Sequence, residues 1–338
     1  TGTANTVLET YGFLSKASDA KDSNGNSNYF KNVIGSQSKY IYPMYMSANV
    51  NTSSGLAWGN VCSSGAFANL ANAVTVSLSS GADGTIATSN IVTAYDSFIP
   101  GDSVDISLII TGPHNASVVT ECISNISEAR KDCVTFVSPK KSDVVNNAGS
   151  EVTSMRATRD ALTSSSYSFF DGNWKYQYDK YNDVYRWVPL NGDIAGLCVR
   201  TDTERDPWFS PAGLNRGVIK NVVKLAWNPT KAERDELYKK GVNPVVTFPG
   251  EGTILYGDKT LLQRPSAFDR INVRRLFIVL EKSIARAARS SLFEFNDEFT
   301  RAAFLNLVEP YLRDVQGRRG IYDFRVVCDT TNNTPEVI

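Results

Sequence analysis

The 338 residues are enough for two domains of ordinary size and at least one sizeable core. Hydrophobic residues make up 42% and charged residues 21%, and 35 Lys and Arg balance 35 Asp and Glu. The composition is that of globular protein, with no basic excess pointing to nucleic acid and no acidic surplus pointing to a basic partner. Zero net charge also removes long-range self-repulsion, which suits a protein that packs against copies of itself.

The first hundred residues are rich in Ser, Asn, Gly, Thr and Ala, with polar stretches such as KDSNGNSN at 21–28. Short β-like runs at 39–45 and 73–80 stand between turn signals. This composition predicts part of a β-rich outer domain over 1–88. The tripeptides beginning at Asn51, Asn115 and Asn125 fit the glycosylation pattern, which a Ser/Asn-rich chain reaches by chance.

Beyond residue 88 the pattern alternates between helix and strand. A helix is predicted over 89–98 and an apolar strand over 104–112. A second helix over 116–130 brings Val118, Cys122, Ile123 and Ile126 to one face, and a strand follows at 133–138. Strand, crossover and strand of this length read as a right-handed parallel βαβ unit. A helix at 151–163 leads into an aromatic hairpin over 171–187, where Trp174, Tyr176 and Tyr178 alternate with Lys175, Gln177 and Asp179. Interleaved aromatics and lysines can stack single-stranded nucleic acid. With two Asp offsetting two Lys, the expected role is instead a hairpin packed on the core by its aromatic face. Residues 89–338 are therefore read as an α/β core, and the whole chain as mixed α/β with two domains.

Chemistry-bearing motifs are scarce. Five widely spaced cysteines include no CxxC pair, so neither a zinc site nor a disulfide framework is expected, and a reducing compartment fits best. One histidine, His114, leaves little room for zinc or histidine-triad chemistry. The segment from Gly252 to Thr260 resembles a phosphate-binding loop, but Asp258 stands between Gly257 and Lys259 where GxxxxGK[ST] allows no residue. It is expected to be a strand and turn. Asp171, Asp179 and Asp183 lack the spacing of a calcium loop. No run approaches the roughly 18 apolar residues of a membrane span, and no signal peptide is visible. No catalytic residue, cofactor or metal site is expected.

One charged pattern stands out. From Asp269 to Arg289, Val273, Leu276, Phe277, Leu280, Ile284, Ala287 and Ala288 recur at helical spacing. The same stretch carries Arg270, Arg274, Arg275, Lys282, Arg286 and Arg289 against Asp269 and Glu281. Either these cations are solvated and locally paired, or they form a docking surface for an acidic partner. A second helix is predicted over 297–315 and a closing strand over 321–327.

Several runs in this order carry a family resemblance. They are WVPLNGDIAGLCVRTD from Trp187, PWFSPAGLNRG from Pro207, ERDELYKKGVNPV from Glu233, YGDKTLL from Tyr256, FDRINVRRL from Phe268 and YDFRVVCDTTNNTPEVI from Tyr322. Together they resemble the tail sheath proteins of contractile-tailed phages, the T-even-like branch above all, over about residues 100–338. The resemblance implies a structural, non-enzymatic subunit in a helical array of stacked rings, assembled in the host bacterial cytoplasm around a tail tube. Its partners would be other copies, the tube, the baseplate and the tail terminator, with no direct nucleic-acid or membrane contact. It also implies terminal arms that add strands to neighbouring subunits. With no initiator methionine and a stop just after a strand-like run, the chain is expected to be a fragment lacking those arms. The six cations of the 269–289 stretch are the candidate contact with the tube or an adjacent subunit. Alternatives are the sheath of a bacteriocin or type VI-like injection system, an α/β enzyme with a site near His114 and Ser138, and a secreted adhesin.

Overall fold

The computed structural model describes residues 7–43, 55–68 and 84–333. The chain divides into two compact units, Thr1–Gly84 and Thr85–Ile338. In the described part of the first, helix α1 (Phe30–Gln37) is the one regular element, and strand pairing is limited to the bridges Ser15–Tyr29, Lys21–Ser27 and Leu56–Phe67. Polar side chains explain the shortage of ladders. Asp22 Oδ1 accepts from the amides of Asn24 and Asn26, both at 2.9 Å, so the 21–28 stretch closes on itself. Residues 39–43 form no strand. The strand expected at 73–80 and the Asn51 tripeptide lie outside the described residues. Tyr29, Ala17 and Ala68 are buried, and the Trp58 ring stands edge-on to Phe30.

The second unit opens with α2 (Thr88–Asp96) and β1 (Leu108–Ile110). The strand predicted over 104–112 is cut to three residues because cations take its early carbonyls. Arg130 Nη2 donates to Val104 O at 2.9 Å, and Lys282 Nζ to Ile106 O at 2.5 Å. The crossover helix runs as α3 (Ala116–Glu121), a π-helical turn (Cys122–Ser127) and α4 (Glu128–Arg130). Asn115 caps its start through Oδ1 and Lys131, at φ 61°, ends it. The hydroxyl of Thr135 donates to Cys122 O, where the π turn departs from α-helical bonding. Strand β2 (Val134–Val137) then pairs parallel to β1 with Leu108 opposite Val134, the predicted βαβ unit.

Further along come α5 (Lys141–Val144), α6 (Glu151–Asp160), β3 (Ser168–Asp171), β4 (Trp174–Asp179), β5 (Val184–Pro189) and α7 (Asn191–Glu204). They are followed by β6 (Lys224–Leu225), α8 (Lys231–Lys239), β7 (Val242–Asn243), β8 (Val245–Phe248) and β9 (Gly252–Leu255). The chain closes with the long helices α9 (Ile271–Ala288) and α10 (Glu298–Gly317). The main sheet has the order β1-β2-β3-β7 and every pair is parallel. Strands β2 and β3 are buried at every position, as a parallel sheet covered on both faces requires. On one face Val134, Phe136 and Phe169 pack with Ile194, Leu197 and Cys198 of α7 and with Ile271 and Ile278 of α9. On the other, Val137 and Phe170 meet Val119, Ile123, Met155 and Leu237 from the crossover helix, α6 and α8.

The hairpin of β4 and β5 forms with Tyr176 opposite Trp187 and Tyr178 opposite Tyr185, and β6 extends it. Its aromatic face is anchored only at the base, where Trp174 and Trp187 join the second core. Tyr178 and Tyr185 at the tip are exposed. The polar face is not all rim, because Lys175 is buried and pairs with Asp193 at 2.8 Å. Segment 252–260 opens as the predicted strand, β9, but continues without a turn to the Lys259–Arg270 bridge, whereas the strand expected over 321–327 has no ladder. Its side chains Ile321, Phe324 and Val326 pack instead on the α9–α10 core.

Asp171 closes β3 in full burial. Its Oδ2 accepts from the Ser138 hydroxyl at 2.5 Å and its Oδ1 from the Asn173 amide at 3.1 Å. Burial pushes this carboxyl up to about 8 against both hydrogen bonds, helped by the charge of Asp193. A carboxyl neutral in the fold and ionised when unfolded contributes stability that is complete below about pH 4 and lost as pH rises through about 8. Asp171→Asn should therefore lessen the fall in urea midpoint between about pH 5 and 8. Parallel midpoint curves for the two proteins would show that Asp171 is not held neutral.

Candidate assembly surface

The six cations of the 269–289 stretch do not share one surface. Arg270, before α9, donates to Asp258 Oδ1 at 2.7 Å and lies 3.5 Å from Asp269. That same Asp258 accepts from Tyr238 and, through Oδ2, from Ser210. The hydrogen bond that Arg270 donates to Asp258 raises the guanidinium's proton affinity further. The residue that spoils the phosphate-loop spacing is thus a structural acceptor.

Arg274 and Arg275 are buried. The Arg274 guanidinium lies between the rings of Tyr167 and Phe268, 4.1 and 3.9 Å from their centroids, and Nη1 donates to Tyr167 Oη at 3.0 Å. Arg275 pairs with Asp202 of α7. The interior thus takes in these two arginines, whereas Phe277, which hydrophobic spacing puts on the apolar face, is 37% exposed. The helix turns its seam so that Ile271 and Ile278 reach the sheet, while Leu276 and Leu280 meet α10.

Lys282 is held by Asp105 at 2.8 Å and by Asp132 at 3.5 Å. The hydrogen bond and charge of Lys282 keep the Asp105 carboxyl below its usual range. Arg286 reaches the same Asp105 at 3.2 Å, with three-quarters of its own side chain exposed. Arg289 is exposed and makes no ion pair among the described residues. Of the predicted cluster, Arg274 and Arg275 therefore build the interior, Arg270 and Lys282 join elements, and Arg286 and Arg289 face outward.

The surroundings of His114 and Ser138 are structural as well. His114 stands edge-on to Tyr95, and Ser138 accepts from the Asn191 amide while donating to Asp171. A cavity of about 470 Å³ beside β1 is apolar, lined by Phe98, Ile106, Leu108 and Ile109 among others, and its Tyr95 hydroxyl donates to Ile110 O. Among the described residues no group of His, Cys, Asp and Glu is placed to hold a metal, and no helix is long and apolar enough to cross a membrane.

Two family descriptions match in sequence. Residues 84–261 match the phage tail sheath protein central domain, and residues 263–337 the phage tail sheath C-terminal domain. The chain belongs to the phage tail sheath family. It is similar to the tail sheath protein of Vibrio phage KVP40, 52% identical over 66% of this chain and 35% of that one. The tail sheath protein of Enterobacteria phage T4 is 47% identical over 77% of this chain and 42% of its own length. That of Salmonella phage ViI is 38% identical over 100% of this chain and 49% of its own. The chain spans half or less of the length of these relatives. In fold it resembles the sheath complex of an extracellular contractile injection system in its contracted state, with TM-score 0.57 and 19% identity over 70% of this chain and 62% of that one.

The runs that carry the family resemblance are joints of this sheath fold. In PWFSPAGLNRG the Gly213 amide donates to Leu255 O, and the Leu255 amide to Gly217 O, which fastens the loop to β9. A Cβ on Gly217 would stand 2.8 Å from Gly213 N and Leu255 O, so only glycine fits. YGDKTLL and FDRINVRRL meet each other through the Lys259–Arg270 bridge and the Asp258–Arg270 pair. WVPLNGDIAGLCVRTD ends β5 and forms α7, a helix that sequence reading passed over. Ile194, Leu197, Cys198 and Thr201, all buried, show the i, i+3, i+4, i+7 signal that would have found it.

The placement of the arginines predicts an asymmetry. Arg275→Ala leaves Asp202 unpaired at a buried joint and should cost about 2–4 kcal/mol of unfolding free energy, whereas Arg289→Ala should cost less than about 0.5 kcal/mol. Urea unfolding of the two variants measures this. Equal losses would contradict the division between interior and surface cations.

Proposed function

We propose that this chain is part of a structural subunit of a contractile phage tail sheath, which polymerises helically around the tail tube and shortens to drive the tube through the host envelope. The observation that carries this reading is the ordered match of both sheath segments across residues 84–337, together with 38–52% identity to three phage tail sheath proteins. An injection-system sheath is the second reading. Identity of 19% to such a sheath, against 47% to that of phage T4, favours the virus.

In this role the subunit performs no chemistry. Free energy is stored as a small difference between two packings of identical units and is released along the array as interfaces switch. The partners are neighbouring copies, the tail tube, the baseplate and the tail terminator, and assembly takes place in the host cytoplasm before incorporation into the virion tail. Residues 89–338 supply the core, and residues 1–88 part of an outward-facing domain. Arg286 and Arg289 remain the outward cations of the 269–289 stretch and form the docking contact to an acidic surface of the tube or of an adjacent copy.

Electron microscopy tests the assignment directly. A protein carrying this chain at the full length of its relatives should form regular striated tubes on a purified tail tube. Absence of tubes would remove polymerisation as its function. Arg286→Glu with Arg289→Glu in that protein should leave folding intact and weaken tube attachment at least tenfold. Unchanged attachment would exclude that contact while leaving the sheath assignment in place.

A further inference from the structure

A cavity of about 410 Å³ opens where the end of α6, the end of α8 and segment 259–265 converge. Its floor is the side chain of Arg159, only 1% exposed. Nε donates to Lys240 O at 3.0 Å and Nη2 to Leu261 O at 2.9 Å, but the buried Nη1 has no hydrogen-bond partner. A guanidinium carries five N–H donors and stays charged, so a buried one normally meets a carboxylate or another anion. Here no carboxylate bonds the guanidinium: two carbonyls accept from it, burial works against its charge, and the charge of Asp160 offsets that only in part.

No wall carboxylate bonds Arg159. Of the two lining carboxylates, Asp160 lies 3.5 Å from Lys240 and Asp269 lies 3.5 Å from Arg270. The remaining titratable lining groups are cations. Lys259 lies over the Tyr238 ring at 4.6 Å, and Lys239 and Arg264 are exposed without an ion pair among the described residues. Gly241, at φ 81°, presents no side chain over the floor, where a Cβ would stand 3.8 Å from Arg159 Nε. An orphaned buried donor and a set of cations from three chain segments therefore coincide.

We propose that this cavity is an oxyanion site that takes free phosphate or a small phosphate monoester, with the Arg159 guanidinium beneath it and Lys239, Lys259 and Arg264 at its rim. A dianion fits better than a lone carboxylate. Its three or four oxygens can accept from donors approaching along different directions, and its charge answers more than one cation. The bound anion would tie α6 and α8 to segment 259–265, where the central and C-terminal family segments meet. It would therefore stabilise the folded subunit in proportion to its concentration over its dissociation constant.

The test uses the 338-residue chain with inorganic phosphate titrated against chloride at constant ionic strength, followed by thermal unfolding and by phosphorus NMR line width. The expected result is a saturable rise in Tm and broadening of the phosphate signal, neither of them given by chloride. Lys259→Gln with Arg264→Gln, at half-buried and exposed positions, should leave the Tm in chloride close to wild type and weaken phosphate binding at least tenfold. Arg159→Met should abolish binding if it folds; if it does not fold, the rim variant decides alone. A Tm that follows ionic strength equally in phosphate and chloride would overturn the proposal, as would wild-type phosphate affinity in the rim variant.

Discussion

Helix α9 must satisfy two cores at once, and the rest of the second unit is arranged around that demand. Ile271 and Ile278 belong to the sheet layer, while Leu276 and Leu280 belong to the layer shared with α10 and Trp208. A helix buried on two sides has little flank left for solvent, yet this one carries arginines there. The conflict is resolved by giving the arginines internal partners: two aromatic rings for Arg274 and a carboxylate on α7 for Arg275. Removal of those partners would leave charges buried with no compensation. The positions of α7, of the Tyr167 strand entry and of the Phe268 turn are thus all conditions for α9 to lie where it does.

This also accounts for what could be read in advance. Apolar runs such as VTFV and the helical spacing at Val118, Cys122 and Ile126 are local signals, and they led to the parallel βαβ unit. The hairpin was equally legible because its register follows from a short turn and alternating side chains. The fate of the arginines was not legible. Tyr167 lies 107 residues from Arg274 and Asp202 lies 73 from Arg275, so a count of neighbouring charges describes a surface that folding dismantles. The same reason applies to the closing strand. IYDFRVV has strand composition, but a ladder needs a neighbour, and its apolar residues found a helical core instead. Arg270, Lys282 and Arg286 are paired with carboxylates, one of the two arrangements the charge pattern allowed, and Arg286 and Arg289 face outward.

The polar interior has a related logic. Ser138, Asp171, Asn173, Asn191 and Asn243 gather at the carboxyl ends of the parallel strands, where many α/β proteins bind ligands. In this chain they bond to one another and to backbone. Asn243 alone donates to Phe170 O and Lys259 O and accepts from the Lys259 amide. A network satisfied in this way fixes one arrangement of strand ends and loops, because any shift would leave buried groups unpaired. For a subunit whose proposed work is done between copies, a body that does not rearrange internally is an advantage.

The cysteines divide along the same line. Cys122, Cys133 and Cys198 are buried, and burial pushes their thiols up to about 12, 11 and 11. A thiol with so little thiolate and no access is chemically inert. Cys62 is exposed and Cys328 half-buried, one in each compact unit. The chain therefore carries one accessible or partly accessible thiol in each unit. A dye pair attached at these two positions would report the separation of the two units by energy transfer, without any engineered cysteine.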